Sequence, residues 1–87
     1  MSALERGEFQ LRNGERIQHG MIIIEIMEVS EYKMPWGEKY MMVAYRIREG
    51  NFVSPVAHVW GKTKEDIQKR LLEVVQFYNQ VRSLLHR

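Results

Sequence analysis

The sequence predicts an α+β fold: an antiparallel three- to four-stranded sheet followed by one long C-terminal helix packed on one face. Three observations predict it. Residues 21–30, "MIIIEIMEVS", and 39–50, "KYMMVAYRIREG", are β-branched and aromatic runs of strand length. Pro35, Gly37 and Gly50 punctuate the chain where such strands would have to turn. Beyond Lys64, Ile67, Leu71, Val74, Tyr78, Val81 and Leu85 recur at alternating steps of four and three, an apolar stripe along a helix.

Taken in chain order, residues 1–7 read as a flexible lead-in and residues 8–87 as a single β-β-β-β-α domain. "EFQLR" (8–12) alternates in polarity, and Asn13-Gly14 is a turn signal, which together predict a first hairpin returning through "ERIQHG". Gly20 would be a bulge or a break before the isoleucine strand. In that strand Ile22, Ile24 and Ile26 share one face, and Met21, Ile23, Glu25, Met27 and Val29 the other. In the next strand the odd positions Met41, Val43, Tyr45 and Ile47 are apolar. Its even positions, Tyr40, Met42, Ala44, Arg46 and Arg48, are half apolar and half cationic. "FVSPVAHVW" (52–60) is a further strand, at an edge or bulged at Pro55, which has no N–H for a ladder. Thr63 followed by Asp66 makes a capping box, so the helix should start there and run to about Leu85.

Composition excludes several classes. No cysteine is present, so disulfides and thiolate metal sites are ruled out. Eighty-seven residues with 45% apolar and 28% charged content describe one small folded domain with a thin core. "MSALERGEF" lacks the apolar segment of a secretion signal, and "MIIIEIM" is broken by Glu25 and too short to span a bilayer. A cytoplasmic protein with no membrane partner is expected. The wide apolar content of the helix, with Leu72, Val75, Phe77 and Leu84 off the stripe, exceeds what one sheet–helix interface buries, so a homodimer is expected.

The catalytic inventory is thin. His19, His58 and His86 show no metal-ligand spacing, and Ser54 with His58 lacks an orienting acid. Glu25, Glu28 and Glu31 could cluster, but strand alternation turns Glu28 away from the other two. The expectation is a non-enzyme without cofactor or metal.

Charge is unevenly distributed along the chain. Residues 1–38 hold four Lys/Arg against seven Glu, whereas residues 39–87 hold nine Lys/Arg against four Asp/Glu. A basic surface on the second half fits a nucleic-acid partner, DNA or RNA. Lys39, Arg46, Arg48, Lys62 and Lys64 are the candidate phosphate contacts, and Trp36 and Tyr40 the candidate stacking rings. The plain alternative for these residues is a solvated strand end and a loop capping the sheet edge.

Within residues 39–72, Tyr45-Arg46-Ile47-Arg48, Glu49-Gly50 and Trp60-Gly61-Lys62-Thr63-Lys64-Glu65-Asp66 follow one another. This pattern resembles the arm-type DNA-binding domains of tyrosine integrases, and the resemblance implies a three-stranded sheet, a following helix and DNA binding. The function expected is thus a small, dimeric, non-enzymatic nucleic-acid-binding protein using a basic-aromatic sheet face. The alternative is a non-enzymatic assembly or adaptor subunit that docks on a protein through its second apolar face, Met42, Ala44 and the isoleucine strand.

Overall fold

Seven elements make up the described residues, 1–85 of a computed structural model. They are α1 (Ala3–Arg6), β1 (Arg16–His19), β2 (Ile22–Lys33), β3 (Lys39–Glu49), β4 (Phe52–Val53), β5 (Ala57–Gly61) and α2 (Lys64–Leu85). The strands form one antiparallel sheet in the order β1-β2-β3, with β4 and β5 both on the far side of β3. α2 covers one face of it, so the α+β expectation holds. No helix among the described residues is long and apolar enough to cross a membrane.

The first hairpin differs from expectation. Residues 8–12 are not a strand; Phe9 instead drops into the core with 6% exposure. The hairpin is β1–β2, closed by Gly20 and Met21 between the paired His19 and Ile22. Gly20 has φ +62°, the first central position of a two-residue turn that requires glycine. Asn13-Gly14 serves another purpose. The Gly14 N–H donates to the Ile26 carbonyl at 2.8 Å, and Asn13 Oδ1 accepts from the Val29 N–H at 3.0 Å. The lead-in carries α1, capped by Ser2 and ended by Gly7, and its Leu4 is fully buried against the core.

β2 is interrupted by a bulge at Met27, where the register with β3 shifts between Ile26 and Glu28. Up to Ile26 the even residues face α2; beyond Met27 the odd ones do, so Val29 pairs with Val43 on the covered side. This corrects two expectations: Val29 leaves the face of Ile23, and Glu28 joins Glu25 on the uncovered one. Pro55 breaks the strand expected at 52–60 into β4 and β5. Ser54 bridges the break, its Oγ accepting from the Ile47 N–H at 2.7 Å and its own N–H donating to the Ile47 carbonyl at 2.8 Å.

α2 starts as expected. The Asp66 N–H donates to Thr63 Oγ1 at 3.2 Å, and Asp66 Oδ2 accepts from the Lys62 and Thr63 N–H groups at 3.1 Å. Gly61 must be small there, since a Cβ would come within 2.7 Å of the Asp66 Cβ. Ile67, Leu71 and Val75 are fully buried against Ile17, Ile24, Ile26, Val43, Tyr45, Ile47 and Val59. The stripe is therefore centred on Val75 rather than on Val74, which is half-buried. Towards the C-terminus the Tyr78 hydroxyl donates to Glu49 at 3.2 Å, and Arg82 pairs with the same carboxylate. Phe77, Leu84 and Leu85 stay exposed.

Candidate nucleic-acid interface

The sheet face turned away from α2 is uncovered, and its chemistry divides into two ends. At one end Glu25, in the middle of an isoleucine strand, lies in register between Arg16 of β1 and Arg46 of β3. Its Oε1 accepts from Arg46 Nε at 2.5 Å and Arg48 Nε at 2.7 Å; its Oε2 accepts from Arg16 Nη2 at 2.7 Å and Nε at 3.0 Å. Glu25 is 8% exposed, which is tolerable for a carboxylate only when its oxygens are filled. The Arg48 and Arg46 bonds, ahead of Arg16, outweigh the penalty of burial and hold its pKa down to about 2. Three guanidiniums on one carboxylate leave the cluster with two net positive charges. Most of their N–H donors remain uncommitted, and the Arg16, Arg46 and Arg48 side chains are 60%, 30% and 34% exposed.

At the other end the rings of Tyr32 and Trp60 meet at 5.3 Å between centroids, tilted by 44°, and both remain substantially exposed. Next to them Lys62 Nζ lies 5.4 Å above the Tyr40 ring and 3.5 Å from Glu38, to which the Tyr40 hydroxyl donates at 2.9 Å. Trp36, Tyr40 and Lys62 together hold the Glu38 carboxyl below its ordinary range. Trp36 itself stands out at the β2–β3 turn. Between the two ends Ala44 and Met42 are buried beneath their neighbours, so they offer little of the apolar docking surface that an adaptor would need.

Of the residues singled out from sequence, the structure thus brings Arg46 and Arg48 together, and Trp36, Tyr40 and Lys62 near one another. It separates the other two. Lys39 alternates onto the opposite side of β3 from Tyr40. Lys64 turns to the N-terminal segment, donating to the Gly7 carbonyl at 2.9 Å with its Nζ 4.8 Å from the Phe9 ring centre. Arg16, Glu25, Tyr32 and Trp60 are the residues that sequence reasoning missed. The signal for Glu25 was its place between Ile24 and Ile26, because an acid inside an apolar run demands a partner of opposite charge.

Among the described residues the serines and histidines form no relay. The Ser54 hydroxyl is occupied by the backbone, accepting from Ile47 and donating to the Pro55 carbonyl at 3.0 Å. Ser2 Oγ lies 2.6 Å from His19 Nδ1, but Glu5 approaches that same nitrogen at 3.9 Å, whereas a catalytic triad places acid and hydroxyl on opposite ring nitrogens. His86 lies outside the described residues. No protein-family model, curated protein or solved structure matches this chain.

Proposed function

We propose that the open sheet face binds an unpaired nucleic-acid strand, its phosphates on the Arg16–Arg46–Arg48 cluster and its bases on Trp60 and Tyr32. One observation carries this reading: a cluster of net charge +2 and an exposed ring pair share one uncovered face. Arg46 and Met42, which pairs with Trp60, are four strand residues or roughly 13 Å apart, so one short strand reaches both. Glu25 fixes the guanidiniums before a ligand arrives, which lowers the ordering cost of binding. Stacking needs a free base face, and a duplex hides it. Lys62, Tyr40 and Trp36 extend the site towards the β2–β3 turn, while Lys39 and Lys64 take no part.

The test is fluorescence anisotropy with labelled single-stranded DNA, single-stranded RNA and duplex DNA at low and moderate salt. Single-strand binding that weakens with salt is expected, as is a loss of roughly 5- to 100-fold on Trp60→Ala, the value of about one stacked base. Absence of binding at low salt, or unchanged affinity in Trp60→Ala, overturns the proposal. Binding to duplex alone favours the arm-type resemblance instead.

A further inference from the structure

β5 is an outer strand whose outward backbone groups have no pairing strand among the described residues. Exposed edges are commonly blunted by charged side chains, yet residues 56–61, "VAHVWG", contain none. The opposite edge, β1, carries Arg16. Beside β5 runs a groove of about 610 Å³ between strand and helix, lined in part by Val59, Trp60, Arg70, Glu73, Val74 and Phe77. Phe77 is 68% exposed, although it is a large aromatic on a helix flank. Arg70 and Glu73 are exposed too, and neither makes an ion pair among the described residues.

We propose that a second copy of this chain occupies this groove. β5 pairs antiparallel with its equivalent across a two-fold axis perpendicular to the sheet. The flanks of the two α2 helices then run side by side and antiparallel. In such an isologous contact, residue i of one copy meets j of the other and j meets i. Arg70 and Glu73, opposite charges one helical turn apart, satisfy that condition: each Arg70 faces the other copy's Glu73. Two like charges at these positions would not. The unpaired edge supplies backbone hydrogen bonds, and each Phe77 gains cover in the other copy's groove. A perpendicular two-fold also keeps both open faces on one side, joining them into a single surface. The proposal is independent of what that surface binds.

Sedimentation equilibrium of the full chain across a wide concentration range tests it, alongside amide exchange of residues 57–61. The expected result is a species of twice the 10.4 kDa chain mass. Its dissociation constant should rise at least about tenfold in Phe77→Glu and in Glu73→Arg, and recover in the double exchange Arg70→Glu/Glu73→Arg. The outward β5 amides, which β3 does not pair, should be protected only where the dimer is populated. Phe77 and Glu73 are exposed, so circular dichroism should show the variants folded. A monomer at all concentrations overturns the proposal. So does a dimer indifferent to Phe77→Glu, or one whose outward β5 amides exchange at a concentration-independent rate.

Discussion

On its covered face the sheet presents Ile17, Ile24, Ile26, Val43, Tyr45, Ile47 and Val59 to Ile67, Leu71 and Val75, with no charged side chain among them. On its open face Arg16, Glu25, Arg46 and Arg48 join β1, β2 and β3 through one carboxylate. The first contact depends on area and volume, is indifferent to direction, and does not respond to pH. The second depends on two oxygens being filled from defined directions and disappears when the carboxylate takes a proton. The sheet therefore separates a source of stability that is the same at acid and neutral pH from a charged, pH-dependent surface.

Substitutions can break that separation or sharpen it. Leu71→Ala, at a fully buried site on the covered face, should cost about 2–5 kcal/mol in denaturant unfolding, with the same loss at acid and neutral pH. The open face should show the opposite behaviour. Because the Glu25 pKa is depressed in the fold from its ordinary 4.5 to about 2, its contribution is complete above the unfolded value and lost as pH falls through the folded one. On the order of 3 kcal/mol should thus disappear between roughly pH 5 and pH 2, and Glu25→Gln should flatten that part of the stability–pH curve. The same variant raises the cluster charge from +2 to +3, so any nucleic-acid binding should fall more steeply as salt rises.

Smaller effects follow away from both clusters. Thr63→Ala removes the hydroxyl that caps α2 and should cost about 1 kcal/mol by thermal or denaturant unfolding. Trp60→Ala, at a 44% exposed site, should change stability by only about 0.5 kcal/mol while still lowering single-strand affinity. A loss of several kcal/mol there would show that the ring pair supports the fold rather than a ligand.

The helix was legible in the sequence from cap to end, because Thr63, Asp66 and the apolar spacing all act locally. β3 and its turn at Gly50 were equally legible, since strict alternation fixes which residues share a face. Hence Arg46 and Arg48 could be placed side by side without a structure. Their partner could not. Finding Glu25 requires the β2–β3 register, which depends on the loop at Pro35 and on a bulge at Met27 that neither glycine nor proline announces. Arg16 was hidden because Asn13-Gly14 carries a turn signal, whereas the actual β1–β2 turn uses Gly20 and Met21. Leu4 and Phe9 owe their burial to tertiary contacts, which outweigh what a short polar segment prefers by itself.

Met27 has a consequence that reaches beyond its own position. A strand is a binary message, inward and outward by turns, and an inserted residue shifts its frame. Before Met27 the frame sends Ile22, Ile24 and Ile26 to the covered side and Ile23 and Glu25 to the open one; after it, Val29 goes to the covered side and Glu28, Ser30 and Tyr32 to the open one. Were Met27 taken into the ladder instead of bulging out of it, the downstream letters would be unchanged and their meaning inverted, placing Val29 in water and Tyr32 on the opposite side from Trp60. Which face a side chain serves is thus decided here by counting residues, and the ring pair exists because the count is odd by one.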